Sequence, residues 1–423
     1  MSQKKMKSGG KPIRLGVVGV GRGRSFARGA ATAGMELVAL CDTWEEKLNE
    51  VGRELGVTTY TDFGKMLEHD LDAVVLANYF HQHAPLAIQA MAAGKHVMSE
   101  CASCFTLAEG VALIRAVEKS RKIYMIAENY PYSAYNQEMR RLYQAGKIGE
   151  FVYGEGEYVH CESADVWAWL APGIKHWRGW LPATYYCTHA LAPLMFITDT
   201  RPVKVNSFIM PCHPDDPVFR RLPRFSDAAS MIVCRMDNGA WVKLLQVYLR
   251  GHGSWVRVHG SRGHMENMRF GDRNWLRLNR EQFHEKKTGP VEQIYRPEFP
   301  AVHQKMAKKA GHGGGDYFTN FHFAEAIRKN EPPYLDVYRG VAMSIIGPLG
   351  YRAALQGGVT LEVPDFRKEA ARKKYENDHW APDPFNRKKG DPWPSITGKI
   401  TPSKRALAYA RNVWRNENKY FGE

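Results

Sequence analysis

The chain opens with apolar runs that alternate with amphipathic stretches. Ile13–Val20 (IRLGVVGV), Met35–Asp42 (MELVALCD), Leu71–Ala77 (LDAVVLA), Lys95–Glu100 (KHVMSE) and Ile123–Ala127 each suit a buried strand of a parallel sheet. Between them, helices are expected from near Ser25, over Pro85–Ala93 and over Thr106–Lys119, with Thr59–Asp62 starting a turn and a further helix. This order predicts a doubly wound parallel sheet with its ligands at the carboxyl ends of the strands. After Tyr135 a helix ends at Ala145-Gly146 and the period shortens. Phe151–His160 (FVYGEGEYVH) alternates as a strand does, and Val203–Ile209, Ala229–Met236, Trp241–Tyr248 and Ser254–Gly260 continue the series. Asp237-Asn238-Gly239 is a hairpin signal. Asp316–Asn330 and Val337–Ala354 read as helices. The expected fold is therefore α/β: an N-terminal doubly wound sheet, then an α+β domain with an open, mainly antiparallel sheet. The expected boundaries are a frayed tail at 1–12, a nucleotide domain at 13–130, a substrate and oligomerisation domain at 131–366, and a basic, proline-containing extension at 367–423.

A chain of 423 residues suits two domains. No apolar run reaches the roughly 18 residues of a membrane span, so no membrane partner is expected. The formal charge is +15, from 59 Lys and Arg against 44 Asp and Glu. These cations are scattered and form no nucleic-acid motif, so no nucleic-acid partner is expected either. Seven cysteines, an odd number without a paired metal spacing, argue against a disulfide framework and suit a reducing cytoplasm. No metal site is expected, because the histidines lack a tetrahedral-site spacing.

The first strand runs into Gly19-Val20-Gly21-Arg22-Gly23-Arg24, with a helix starting near Ser25. Glycines there permit a tight turn and a close approach of backbone to a pyrophosphate. The third glycine of the dinucleotide fingerprint is displaced, from the position of Arg24 to Gly23. The next strand ends on Asp42, an acid suited to ribose hydroxyls, which favours NAD over NADP. Asp42 as a simple helix cap is the alternative. Asn78, His81, His83, Glu100, Cys101 and Asn129 fall at later strand ends and complete the expected cofactor set.

The stretch from His83-Ala84-Pro85 through Ala93-Gly94-Lys95-His96-Val97 to Glu100 resembles the third and fourth strands of the Gfo/Idh/MocA oxidoreductases with their connecting helix. The resemblance runs from about Ile13 to Phe366 and implies a Rossmann domain followed by an open-faced sheet domain, with substrate between them. Ordinary dehydrogenases of that family carry Glu-Lys-Pro where this chain has Glu100-Cys101-Ala102. Their lysine helps deprotonate the hydroxyl being oxidised, so its loss argues against a simple sugar dehydrogenase. Four segments instead resemble glycoside hydrolase family 109: Glu128-Asn129, Gly154–His160, Tyr186-Cys187-Thr188-His189-Ala190-Leu191-Ala192-Pro193, and the loop Gly311–Tyr317.

That branch implies glycoside cleavage by transient oxidation at sugar C3, deprotonation at C2, elimination of the aglycone, addition of water and re-reduction, on a tightly bound, recycled NAD. By resemblance His189 is the base for the C3 hydroxyl and Tyr158 the base at C2. His160 and Tyr186 are supports, and Glu128 orients sugar hydroxyls or nicotinamide. A phenol must be lowered from about 10 to serve at neutral pH, and His160, Arg178 or bound NAD+ are the expected agents. Trp177, Arg178, Tyr186, Thr188 and His312 form the expected substrate set. Trp167, Trp169, Trp177 and Trp180 are expected on one loop, facing a sugar or another subunit. A carbohydrate substrate and a homo-oligomer, dimer or tetramer, are the expected partners. The other readings are a conventional sugar or polyol dehydrogenase and a catalytically silent NAD-binding scaffold.

Overall fold

The computed structural model describes residues 11–160, 162–213, 215–281 and 291–422. The expected tail lies outside these residues except for Lys11 and Pro12. The N-terminal sheet comprises β1 (Ile13–Val18), β2 (Met35–Cys41), β3 (Thr58–Tyr60), β4 (Ala73–Leu76), β5 (His96–Ser99) and β6 (Tyr124–Ile126). All pairings are parallel, in the order β3-β2-β1-β4-β5-β6. Leu15, Val17, Val74, Val75, Leu76, Val97, Met98, Met125 and Ile126 are fully buried, as strands covered on both faces require. The turn and helix expected from Thr59 are corrected at one point. Thr58–Tyr60 is an edge strand, its Thr and Tyr side chains suiting a pleated surface, and the helix follows at Phe63–Leu67. Asp62 caps that helix by accepting the Lys65 N–H at 2.8 Å.

The second sheet has nine strands: β7 (Phe151–His160), β8 (Pro202–Met210), β9 (Ala229–Met236), β10 (Trp241–Val247), β11 (His252–Gly260), β12 (Gly263–Asn267), β13 (Leu276–Arg280), β14 (Glu292–Tyr295) and β15 (Leu361–Glu362). Their order is β14-β13-β12-β11-β7-β10-β9-β8-β15, antiparallel throughout except for the parallel pair of β7 and β10. The β9–β10 hairpin turns at Asp237-Asn238-Gly239, closed by Gly239 N–H to Met236 O at 2.9 Å. The helix expected over Val337–Ala354 is two helices, Val337–Ser344 and Ile346–Leu355. Pro348 has no N–H to return to the Ser344 carbonyl, and the chain breaks there. The basic, Pro-rich stretch carries a short helix, Glu369–Tyr375, and then lies along the second domain. Ser395 donates to Asp227 at 2.7 Å, and Tyr351 donates to the Trp393 carbonyl at 2.5 Å. A further helix, Lys404–Val413, was not expected.

One packing contact positions the site. The helix Thr188–Thr198 lies directly on β7 at Gly156, where a Cβ would stand 2.1 Å from the Ala190 carbonyl oxygen. Only glycine permits that approach, which brings His189 beside Tyr158.

Candidate active site

The strand ends of the first sheet face β7. The glycine turn holds its shape through Gly19, at φ +91°, where a Cβ would meet the Ala77 carbonyl at 2.5 Å. Asp42 accepts the Val20 N–H at 2.7 Å and the Trp44 N–H at 2.9 Å. It therefore braces the turn as well as ending β2. Burial raises its carboxyl, and the backbone N–H groups of Trp44, Val20 and Thr43 pull it back.

Arg22 crosses the cleft. Its Nε donates to Glu100 at 2.7 Å, and its Nη1 and Nη2 donate to Asp316 at 2.9 and 2.6 Å. Ser25 donates to the same Asp316 at 2.7 Å, Asn129 Nδ2 at 3.2 Å, and His312 Nδ1 lies 3.0 Å from it. Burial would raise the Asp316 carboxyl, but Arg22 and His312 hold it far below the carboxylate range. The loop Gly311–Gly315 is thereby tied to the glycine turn, and His312 sits on the nucleotide side of the cleft. Arg24 pairs with Glu54. His83 is buried, its Nδ1 3.1 Å from the Ala102 carbonyl and its Nε2 3.3 Å from that of Asn78. Both ring nitrogens thus face backbone, so His83 joins two strand ends rather than reaching into the cleft. Buried polar atoms at these strand ends, Asn78 Oδ1, His81 Nδ1 and Asn129 Oδ1, have no partner among the described residues. A Cβ on Gly21 would meet nothing within 4 Å. Open space over the turn and unpaired polar atoms beside it fit a dinucleotide.

The chemistry-bearing group lies at the ends of β5 and β6. Glu128 is wholly buried. Its Oε1 is 2.8 Å from His189 Nδ1, and its Oε2 accepts the Cys101 thiol at 3.0 Å. The Tyr130 N–H reaches Oε1 at 3.3 Å, and Thr188 adjoins both Glu128 and Cys101. Burial alone would raise Glu128, yet His189 holds it ionised. Burial and the neighbouring Glu128 push the Cys101 thiol up, so it stays a donor. With Nδ1 committed to Glu128, Nε2 is the atom His189 offers to the cleft. The three donor atoms lie within 4.8 Å of one another, a group that zinc also accepts. Their own hydrogen bonds account for the cluster. The expectation that Glu128 contacts sugar or nicotinamide is revised, because both its oxygens are engaged inside the protein.

An aromatic wall faces this group. The Tyr158 ring lies 4.6 Å from the His189 ring, 5.5 Å from His160, 5.2 Å from Tyr130, and 5.6 Å from Tyr186, on which it stacks. Arg178 donates to the Tyr186 hydroxyl at 3.1 Å and lies over Trp177, which stacks on Tyr186 at 6.0 Å. The expected lowering of the Tyr158 phenol is not met. Burial, then Tyr186 and Tyr130, push it well above its ordinary value, and Arg178 pulls it down by less. The tryptophans do not share one loop. Trp167 and Trp169 lie on the helix Ala164–Leu170, and Trp180 is core, its Nε1 donating to the Lys175 carbonyl at 3.1 Å. Of the four, Trp177 stands beside Tyr186. Sequence reasoning missed Asp316, Tyr130 and the link from Cys101 through Glu128 to His189. The motif Gly311–Tyr317 was the signal for the first, and no spacing signals the last.

Residues 13–128 match the family model described as the oxidoreductase family, NAD-binding Rossmann fold, and residues 227–373 match the glycosyl hydrolase 109 C-terminal domain. Glycosyl hydrolase family 109 protein 2 of Akkermansia muciniphila is 26% identical over 407 residues, covering 84% of this chain and 83% of that protein. Family 109 protein 1 of Bacteroides fragilis is 25% identical over 409 residues, covering 85% and 86%. Among solved structures, levoglucosan dehydrogenase in complex with NADH and L-sorbose superposes with a TM-score of 0.71 at 20% identity, over 84% of this chain and 100% of that one. An inositol dehydrogenase homolog from Azotobacter vinelandii, complexed with NADH and myo-inositol, gives 0.66 at 22%, over 83% and 98%. These two likenesses are of fold. Over its first part the chain is thus similar to the Gfo/Idh/MocA oxidoreductases, and over its second part to glycoside hydrolase family 109.

Proposed function

We propose that the protein is an NAD-dependent glycoside hydrolase that retains its cofactor through each turnover. The observation that carries the reading is the buried Cys101–Glu128–His189 group facing Tyr158. Bound NAD+ would supply a reversible two-electron oxidation at sugar C3. His189 takes the C3 hydroxyl proton on Nε2 and returns it at the end, with Glu128 fixing the tautomer. Cys101 occupies the lysine's place but donates to Glu128 at 3.0 Å, so the base work falls to His189. Once C3 is a ketone the C2 proton is acidic, and Tyr158 removes it. Arg178, with the positive charge of the oxidised nicotinamide, favours the phenolate this requires. Elimination at C1 expels the aglycone, water adds, C2 regains a proton from Tyr158 after that proton has exchanged with solvent, and the ketone at C3 is reduced again. Trp177 offers a ring to the apolar face of the sugar, and Arg178 and Tyr186 offer polar contacts to its hydroxyls.

The expected division at residues 130 and 366, a cytoplasmic location and a homo-oligomeric assembly accompany this reading. Among the described residues no helix is long and apolar enough to cross a membrane. A panel of nitrophenyl glycosides, assayed with no NAD added, tests the activity. Release of nitrophenol is the expected result. Steady NADH accumulation from free sugars once NAD+ is supplied, with no glycoside cleaved, contradicts it and favours a dehydrogenase.

A further inference from the structure

The matched C-terminal domain ends at residue 373, yet the chain continues and returns to the first domain at Trp44. The helix Lys404–Val413 packs on the helix Ala164–Leu170, burying Ala410, Val413 and Trp414 against Ala164, Trp167 and Ala168. Trp414 Nε1 donates to the Ala168 carbonyl at 2.9 Å, Asn418 Nδ2 donates to the Trp169 carbonyl at 3.0 Å, and Tyr409 donates to Asp165. Lys419, at φ +55°, reverses the chain, and the Tyr420 N–H closes on the Trp414 carbonyl at 2.9 Å. This anchorage leaves the Tyr420 ring little choice of place.

That place is the first domain. The Tyr420 ring meets Trp44 edge to face at 5.2 Å. The ring also packs against Gly173, where a Cβ would stand 3.0 Å from it. The Tyr79 ring meets the His176 ring at 4.9 Å. Trp44 follows the end of β2, and Tyr79 follows the end of β4, with β1 and its glycine turn between them. A dinucleotide with its pyrophosphate on the glycine turn and its ribose at Asp42 would carry its adenine past Asp42, to the side of the sheet where Trp44 and Tyr420 stand and to which the end of β4 brings Tyr79.

We infer that Tyr420, carried by the C-terminal segment, closes the adenosine end of the dinucleotide site together with Trp44 and Tyr79 and slows the release of NAD. Removing it opens the site without altering the glycine turn or the Cys101–Glu128–His189 group. An aromatic face is the part required, because every base offers a π surface to it and the phenol hydroxyl is not needed for that contact. The inference rests on the proposal that NAD stays bound through turnover, and it names the residues that keep it there.

The test is a release rate, not an activity. NADH bound to the full-length protein is chased with excess NAD+, and the loss of its bound fluorescence is followed in time. Tyr420→Ala, a chain ended after Lys419, and Trp44→Ala are each expected to release NADH about 10-fold faster than the wild type, the scale of one lost base–ring contact. Tyr420→Phe is expected to stay within about 2-fold of the wild type, since its ring is kept. Wild-type release from Tyr420→Ala and from the shortened chain overturns the inference. So does release from Tyr420→Phe as fast as from Tyr420→Ala. A protein that releases NADH as expected but cleaves no glycoside leaves the inference standing and removes the glycosidase reading alone.

Discussion

Glu128 touches neither solvent nor, on this account, substrate, and its influence passes through His189. An ionised carboxylate under Nδ1 fixes which nitrogen is free and stabilises the imidazolium that forms when His189 takes a proton. Glu128→Gln keeps the shape and removes the charge. It is expected to lower kcat about 10²–10³-fold with KM within about threefold. An equal fold-change in kcat and KM would mark a merely structural residue. Tyr158 acts at the next atom. Tyr158→Phe is expected to abolish proton exchange at C2 while C3 oxidation, read as transient NADH absorbance, persists. Because burial, Tyr186 and Tyr130 raise the phenol, its basic form is scarce at neutral pH. The exchange rate should therefore climb with pH, by about tenfold per unit while the phenol is mostly protonated. A flat profile from neutral to alkaline pH would remove Tyr158 as the base.

The decisive element contact is the helix Thr188–Thr198 seated on β7. Two glycines of one motif differ sharply in what a methyl group would meet. At Gly154 it would meet the Leu194 side chain at 3.0 Å, which can rotate away; at Gly156 it would meet the Ala190 backbone at 2.1 Å, which cannot. Gly156→Ala is expected to destabilise the fold by about 1–3 kcal/mol and to reduce activity further than stability alone explains, by lifting His189 from Tyr158. Gly154→Ala should do neither to the same degree, as thermal melting and kcat will show. Much at this scale was legible in the sequence. Long apolar runs marked β1, β2, β4, β5 and β6, and alternation marked β7 to β11. Thr58–Tyr60, Gly263–Asn267, Leu276–Arg280 and Leu361–Glu362 were not legible. They are short, and the pairing of each with a neighbouring strand, rather than its own pattern, makes it a strand.

The whole molecule sets two sheets mouth to mouth, one offering strand ends to a dinucleotide and the other an aromatic wall that, on the proposed reading, receives a sugar. The nucleotide half could be read from local signals, because its glycine turn and Asp42 lie close together in the chain. The catalytic half could not be assembled the same way. Cys101 follows β5, Glu128 follows β6 and His189 lies on a helix of the second domain, and only the fold reveals that one carboxylate joins the other two. The C-terminal segment was legible as basic and Pro-rich, but its return to Trp44 depends on packing that no local pattern encodes. On the proposed reading, these features serve a site that oxidises, eliminates and reduces without exchanging its cofactor. The most direct measurement is cleavage of an accepted glycoside in D2O with no NAD added, with the released sugar examined by NMR. The account predicts one deuterium at C2 per turnover and no net NADH. Cleavage with protium retained at C2 would contradict it.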